Sequence, residues 1–296
     1  MTHTQLEYLI AVVNCGNFTA AAESCFVTQP TLSVQIKMLE DELGVILLDR
    51  SRKPVVPTLL GERVVEQART ALEQVERIRE IVKEYKGEIS GTLRLGVIPT
   101  IAPYLIHKFL PSFMSCYDGV RVEIREMKTA EIIDALNRDA LDVAIVAGGT
   151  CADKFIETEL FPDRFYAYVS THSPLYQKSN IRLEDIKMDE LVLLSVGNCM
   201  RDQVLELCQK KRESFSKCIF ESGSVDTLMR IVDVTNSITI IPEMAIEFIK
   251  EENRQQVKTL FRGASSRMIS MVRRRNYVKQ SLFFALRKAI VDAVGK

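Results

Sequence analysis

Hydrophobic and polar positions divide the chain into three zones. Up to about residue 60, apolar residues recur at helical spacing in short segments broken by a turn signal over 14–17. Residues 58–85 carry one continuous apolar stripe, which predicts a single long helix. From residue 87 onward, strand-like and helical patterns alternate to the end. The pattern therefore predicts a helix-rich module, a helical rod and an α/β domain.

The first zone is typical of a helix-turn-helix. We expect Thr19 to cap a short helix, and Pro30 suits the first turn of the helix that follows. Two short helices joined by a tight turn, the second opening with polar residues, form this motif. Such side chains reach bases or phosphates, and the alternative is an ordinary capped surface helix. The polar set is Gln29, Pro30, Thr31, Ser33, Gln35 and Lys37.

A wing is predicted directly after these helices. An apolar strand over 44–50, a basic turn over 51–54 and a second short strand over 55–58 follow one another. We expect Arg50, Arg52 and Lys53 to meet phosphates or a minor groove. Residues 1–60 hold four basic residues against six acidic ones. A DNA-binding module here must therefore gather its cations on one face and use helix N-termini for phosphates as well.

The rod needs something to cover its apolar stripe. About 25 residues at about 1.5 Å each make a helix about 37 Å long. A dimer seam would bury the stripe, and the alternative is packing against the helix's own domain. The stripe consists of Val64, Val65, Ala68, Ala71, Leu72, Val75, Ile78, Ile81 and Val82.

The third zone predicts two similar α/β halves with a cleft between them. The order strand, helix, strand, helix, strand over 92–146 indicates a parallel, doubly wound sheet. Ligands in such sheets bind beyond the strand C-termini and at helix N-termini. The predicted strands are 92–97, 120–126, 143–146, 165–170, 191–194, 218–220, 238–241 and one from Arg267. The predicted helices are 103–115, 130–137 capped by Thr129, one from Met200, 225–234 and 280–294.

Composition narrows the class of protein. The 296 residues are 47% hydrophobic and 26% charged, and the apolar runs are too short for a membrane helix, so we expect a soluble, cytoplasmic protein without a membrane partner. Thirty-nine basic and 39 acidic residues cancel, and this balance gives no sign of a nucleic-acid partner. Seven cysteines, an odd number, argue against a secreted disulfide framework. The sequence contains no CxxC, HExxH or GxGxxG, so we expect neither a metal nor a dinucleotide cofactor.

Three stretches resemble the LysR-type transcriptional regulators. They are residues 18–22 (FTAAA), 28–36 (TQPTLSVQI) and 39–44 (LEDELG). The resemblance implies a winged helix-turn-helix over 1–58, a linker or dimerisation helix over 59–87 and an effector domain over 88–296. That domain is periplasmic-binding-protein-like, with half I at about 88–161 and 267–296 and half II at about 162–266. It further implies a homodimer or homotetramer that binds promoter DNA and RNA polymerase and is not an enzyme.

Two further stretches are similar to the hydrogen-peroxide-sensing members of that family. They are residues 98–105 (IPTIAPYL) and 199–208 (CMRDQVLELC). The resemblance implies that Cys199 is the peroxidatic thiol and that Cys208 resolves it into a disulfide. Many such members have histidine where this chain has Asn198, which can donate a hydrogen bond but cannot carry charge. The positions matching the peroxide pocket are Thr100, Thr129, Asn198, Asp202, Gln203 and Arg267.

The cysteine spacing has a physical consequence. Peroxide reacts with thiolate, and a helix N-terminus at Cys199 with Arg201 and Arg267 nearby would favour that form. If one helix spans 199–208, its rise of about 13.5 Å far exceeds the roughly 7 Å between the Cα atoms of a disulfide. Closing the bond then requires refolding, as a switch does. We expect Cys15, Cys25, Cys116, Cys151 and Cys218 to be buried core thiols.

Two other functions remain open from the sequence. The regulator could respond to a small organic effector in the cleft between the halves. The cysteine pair could also serve a thiol peroxidase, although such an enzyme needs neither a helix-turn-helix nor a rod.

Overall fold

The computed structural model describes residues 1–86, 88–149, 154–208, 223–260 and 266–295. The chain separates into two units, Met1–Glu88 with Asn276–Gln280, and Ile89–Arg275 with Ser281–Lys296. Across the described stretches, no helix is long and apolar enough to cross a membrane.

Three helices, a short hairpin and the first part of the long helix that follows them build the first unit around one apolar core. Leu9, Leu32 and Ile36 are completely buried there. The hairpin pairs Leu48 with Pro57 and Asp49 with Val56 in antiparallel register, so the predicted wing is confirmed. The elements are α1 (His3–Cys15), α2 (Phe18–Ser24), α3 (Gln29–Leu43), β1 (Leu48–Asp49) and β2 (Val56–Pro57).

The turn between α1 and α2 brings the wing against the helices. Gly16 ends α1 at φ +63°, and its carbonyl accepts a hydrogen bond from Val55 N at 2.8 Å. A Cβ at Gly16 would stand 2.7 Å from Pro54 Cβ, so both the backbone and the packing require glycine. Asn17 caps α2 by accepting from the first amides, so the prediction of Thr19 as the cap was wrong. The cap is the residue with extended backbone, two residues earlier than the pattern suggested.

The long helix α4 (Leu59–Lys86) has 28 residues and is about 42 Å long. Its first part packs against its own unit, because Val65 and Ala68 are buried and Leu72 is half-buried on the same core. Further along, Val75 is 38% exposed and Ile78 is 64% exposed. Packing against its own unit is therefore confirmed for the first part of the helix, and the dimer seam stays a prediction for the exposed part.

The second unit is a mixed α/β structure, which confirms the predicted fold class. Its sheet order is β4-β3-β5-β10-β6-β9-β7, with β8 also paired to β6. Strands β3, β4 and β5 are parallel, whereas β10 is antiparallel to both β5 and β6. The strands are β3 (Gly91–Val97), β4 (Val120–Glu126), β5 (Val143–Ala147), β6 (Phe155–Val169), β7 (Asn180–Ile181), β8 (Ile238–Pro242), β9 (Val257–Leu260) and β10 (Ser266–Arg274). The helices are α5 (Ala102–Cys116), α6 (Thr129–Asn137), α7 (Cys199–Leu207), α8 (Val225–Val234), α9 (Glu243–Ile246) and α10 (Gln280–Val294).

One long strand carries the chain from half I to half II. Strand β6 has 15 residues; its first part pairs with β10, and residues 165–169 pair with β8. The predicted strand over 165–170 is therefore the second part of a longer element. A full strand over 191–194 was wrong, since only Leu191 forms a bridge, to Ile238. The predicted strand over 218–220 lies outside the described residues.

Candidate functional site

The two candidate redox cysteines stand at the two ends of α7. Cys199 is its first residue, and Cys208 is the C-cap, whose amide donates to Val204 O at 3.1 Å. The single helix expected between them is confirmed. Nine steps turn the two side chains to roughly opposite faces, with a rise of about 13.5 Å. Cys199 is half-buried, whereas Cys208 lies in the apolar core of half II, and both cysteines are in the thiol form.

The loop before Cys199 is held by its own polar side chains. Asn198 is buried, and its Nδ2 donates to Ser195 O at 3.3 Å and to Ser195 Oγ at 3.1 Å. It makes no side-chain cap of α7. Arg201 donates from Nη1 to Leu194 O at 2.8 Å. These bonds place the first turn of α7 and therefore the Cys199 thiol.

The start of α6 approaches this loop from half I. Lys128 is the residue before the helix, and its Nζ donates to Val196 O at 3.3 Å. Thr129 is half-buried as the first residue of α6, so the prediction of Thr129 as the cap was wrong. Extended backbone at Lys128 makes that residue the N-cap, and Glu131 accepts from its amide at 2.9 Å.

Gln203 presents an unpaired buried acceptor. Its Nε2 donates to Ala147 O at 3.3 Å, at the end of β5. The carbonyl of Ala147 needs a donor, which fixes the orientation of the amide group and leaves Oε1 on the other side. Within the described part of the chain, this Oε1 is buried and has no hydrogen-bond donor. A small ligand with an O–H group would satisfy it. Asp202 is half-buried in the same turn.

Arg267 and Thr100 meet in a buried polar cluster. Arg267 donates from Nη1 to Thr100 Oγ1 at 2.8 Å and from Nη2 to Thr100 O at 3.1 Å. Its Nε donates to Asp163 Oδ2 at 2.9 Å, so the guanidinium that we expected near Cys199 is committed to Thr100 and Asp163. Burial raises the pKa of the Asp163 carboxyl, against the opposing effects of Arg267 and the Met244 amide. Sequence reasoning missed Asp163, and its only signal was an acidic residue inside a strand pattern.

These residues gather at one edge of the sheet of half I. Thr100 follows β3, Ala147 ends β5 and Thr129 begins α6, so all lie at the carboxyl ends of the parallel strands. This edge is where open α/β sheets bind ligands. The structure therefore brings Thr100 to Arg267, Gln203 to the end of β5, and the start of α6 to the loop holding Asn198.

Tyr104 joins the two halves. It belongs to α5 but is buried in the apolar core of half II, where its hydroxyl donates to Asp226 Oδ1 at 2.9 Å. Burial, followed by the nearby Asp226 carboxylate, raises the pKa of Tyr104. The ring also packs on Phe248, with centroids 5.6 Å apart. Opening the cleft would expose this ring and break a hydrogen bond to a carboxylate.

The polar face of α3 is accessible. Gln29, Pro30 and Thr31 are exposed, and Thr28 caps the helix by accepting from Thr31 N at 3.4 Å. The half-buried Gln35 accepts from the buried Gln5 Nε2 at 3.3 Å through its Oε1. Its own Nε2 is therefore the group left to donate to another partner. The other members of the polar set are Ser33, which is half-buried, and Lys37, which is exposed.

The two wing arginines differ. Arg50 donates from Nη2 to Glu40 Oε2 at 2.7 Å, and its guanidinium lies 5.1 Å from the centre of the Phe18 ring. These contacts give it a structural task within the module. Arg52 is much more open, with 71% of its side chain exposed beside Asp49 at 3.2 Å. A hydrogen bond from Ser51, aided by Arg52, lowers the pKa of Asp49.

The remaining cysteines are less buried than expected. Cys15 and Cys116 are exposed and Cys25 is half-buried, so the core prediction was wrong for the first two. Each of those two ends a helix, where the side chain turns outward. Cys151 and Cys218 lie outside the described residues.

Comparison with known proteins identifies both parts of the chain. Residues 3–62 match the bacterial regulatory helix-turn-helix protein of the lysR family, and residues 86–295 match the LysR substrate binding domain. A hydrogen peroxide-inducible genes activator of Haemophilus influenzae is 34% identical over 299 residues, covering 99% of this chain and 97% of that protein.

Solved structures of proteins from the same family also resemble this chain. A full-length OxyR variant from Pseudomonas aeruginosa matches with a TM-score of 0.82 at 31% identity, covering 98% of this chain and 94% of that one. A peroxide-bound OxyR variant from Corynebacterium glutamicum matches with a TM-score of 0.65 at 27% identity, covering 99% and 92%. With its winged helix-turn-helix, long α4 and two-half α/β domain, the chain belongs to the LysR family of DNA-binding transcription regulators.

Proposed function

We propose that this regulator senses hydrogen peroxide through a reversible disulfide between Cys199 and Cys208 and controls oxidative-stress genes. The observation that carries the proposal is the placement of two reduced cysteines at opposite ends of one helix. Relatives named as hydrogen peroxide-inducible genes activators, and a neighbour structure with peroxide bound, support this choice of signal.

The chemistry balances with peroxide as the only oxidant. The Cys199 thiolate attacks one peroxide oxygen, the O–O bond breaks, and uptake of a proton releases water and leaves a sulfenic acid. The Cys208 sulfur then attacks the Cys199 sulfur, the S–O bond breaks, and a second water leaves with the Cys208 proton. Both thiols are oxidised together, and one peroxide is reduced to two waters.

Closing this bond drives a conformational change. A rise of about 13.5 Å must shrink until the Cα atoms stand within roughly 7 Å, so α7 has to unwind. Cys208 must also leave the core of half II, where it is 8% exposed. The reduced fold keeps the two cysteines too far apart for the bond, and the oxidised form requires a different fold of this region. The disulfide therefore acts as a conformational switch rather than as a passive cross-link.

The pocket residues have different roles in binding peroxide and in positioning Cys199. Gln203 Oε1 is the buried acceptor for a peroxide O–H, and Thr100 and Thr129 supply hydroxyls at the same sheet edge. Asn198 and Asp202 flank Cys199 and set the position of the sulfur. Arg267 acts through Thr100, to which it donates at 2.8 Å. Asn198 cannot carry charge, so its contribution is a hydrogen bond.

The DNA-binding part is assigned to the first unit. Gln29, Pro30, Thr31, Ser33, Gln35 and Lys37 face a partly palindromic promoter, with Arg52 at the wing and Arg50 supporting it. Palindromic half-sites require a dimer or a dimer of dimers, joined through α4. We further propose that the protein acts in the cytoplasm, contacts RNA polymerase, and divides at residues 58 and 87 as the sequence predicted.

One experiment separates the candidate functions. Reduced protein is mixed with one equivalent of peroxide, then mapped by peptide mass analysis with promoter footprinting alongside. We expect one stoichiometric event, a bond between Cys199 and Cys208, and a changed footprint. Continued turnover would indicate a peroxidase. Intact thiols would favour an organic effector, although the Tyr104 contact with Asp226 opposes cleft opening.

Two variants complete this test. Cys199→Ser should remain in the reduced form at any peroxide concentration. Cys208→Ser should still react once with peroxide, giving a sulfenic acid at Cys199, but should not form the disulfide. A disulfide between any other pair of cysteines, or the same promoter footprint for the reduced and the oxidised protein, would contradict the mechanism.

A further inference from the structure

A buried carboxylate stands where β6 passes from half I to half II. Asp163 lies opposite Arg267 in the register of β6 and β10. The Asp163 side chain is 0% exposed and that of Arg267 is 1% exposed. Asp163 Oδ1 also accepts from Met244 N at 3.3 Å, at the beginning of α9 in half II. Asp163 therefore lies on the strand that connects the halves, pairs with β10 and contacts the beginning of α9 in half II.

Asp163 decides which way the guanidinium of Arg267 points. Its Oδ2 accepts a hydrogen bond from Nε at 2.9 Å and forms an ion pair with Nη2 at 2.9 Å. The guanidinium is a rigid planar fork, so fixing one edge aims the other nitrogen. That nitrogen, Nη1, donates to Thr100 Oγ1. Since Thr100 Oγ1 already accepts a hydrogen bond, its own proton remains to be donated.

We propose that Asp163 is a positioning residue for the oxidation of Cys199. It aims Arg267 so that the Thr100 hydroxyl acts as a donor to bound peroxide rather than as an acceptor. This inference rests on the proposed function. Buried ion pairs add little net stability, because desolvation cancels most of the attraction, and so a geometric task accounts for the pair better than stability does.

The test compares two matched substitutions of buried aspartates. Asp163→Asn removes the charge at the proposed position. Asp142→Asn makes the same change at a pair distant from the pocket, where Asp142 accepts from Arg94 Nε at 3.1 Å and from Nη2 at 2.9 Å. Asp142 precedes β5 and so lies at the amino end of the strands, whereas the pocket lies at the carboxyl ends.

The readout is the second-order rate constant for sulfenic acid formation at Cys199, measured by dimedone trapping in the Cys208→Ser background. We expect Asp163→Asn and Thr100→Val each to slow oxidation by about tenfold or more, because misplaced groups are costly in rate. Combining them should cause no further loss, since both act through one hydroxyl. Asp142→Asn should lower the melting temperature but keep the rate within about twofold.

Asp163→Asn leaves a buried charge unpaired and could prevent folding. Asp163→Leu with Arg267→Met removes both charges and should fold, as apolar replacements of buried pairs commonly do. This double variant should oxidise as slowly as Thr100→Val, and adding Thr100→Val to it should change nothing. Wild-type rates in an Asp163 variant, or additive losses, would overturn the inference. Unreactive wild-type Cys199 would instead overturn the proposed function.

Discussion

Lys128 Nζ donates to the carbonyl oxygen of Val196 across 3.3 Å, tying the start of α6 to the loop that precedes Cys199. The bond joins half I to the part of half II that must move when the disulfide closes. Val196 itself is 71% exposed, so little apolar packing holds this loop. The contact therefore stabilises the reduced arrangement.

Removing this contact should favour the oxidised form. Lys128→Met keeps the backbone cap of α6, because Glu131 accepts from the main-chain amide of residue 128. One hydrogen bond of this kind contributes about 0.5–1.5 kcal/mol, so disulfide closure should become about two- to tenfold faster. Stopped-flow measurement after sulfenic acid formation tests this. Lys108→Met, which removes a lysine paired with Glu247, is the control and should leave closure unchanged.

Gln35 should read an acceptor on a base. Gln5 donates to its Oε1, so Nε2 is the group left to donate. Gln35→Ala should cost about 1–3 kcal/mol of promoter affinity and relax preference at one base position. Binding titrations against single-base variants of the promoter measure both effects. Met38→Ala, an exposed change on the same helix, is the control, and equal losses from the two would remove Gln35 from the readout.

The dimer seam should lie in the C-terminal part of α4. Leu72 packs on its own unit, so charge there would damage that core rather than a seam. Val75→Glu with Ile78→Glu places charge on the exposed stripe and should yield monomers by light scattering. Gln67→Glu with Gln74→Glu adds the same charge at exposed polar positions and should stay dimeric. A dimer with full promoter affinity from the first variant would locate the seam elsewhere.

Phe26 should be replaceable with a gain in stability. It follows α2 with φ +56°, and 95% of the residue is exposed. The amides of Phe26 and Val27 donate back to Glu23 O and Ala22 O, a helix ending that favours glycine. Phe26→Gly should raise the free energy of unfolding by up to about 1 kcal/mol. Phe26→Ala removes the ring but keeps the Cβ, and urea unfolding should find it within about 0.5 kcal/mol of wild type.

The sequence alone determined the elements with strong local periodicity. Strand β4 and helices α8 and α10 have the predicted bounds, because alternating or helical apolar spacing depends on each segment by itself. The Cys199–Cys208 conflict with disulfide geometry also followed from sequence, since the length of one helix is a local property. Family motifs supplied the assignment of the winged module and the effector domain.

Only the tertiary structure decided which groups meet. Asp163 and Arg267 are 104 positions apart, and no local pattern pairs them. The N-caps are Asn17 and Lys128 rather than the predicted Thr19 and Thr129, because a cap depends on the backbone angle at which the chain enters a helix. Only the tertiary structure likewise showed that the apolar stripe of α4 packs on its own unit as far as Leu72 and is exposed beyond it. Periodicity shows that a face is apolar, but burial depends on what another part of the fold places against it.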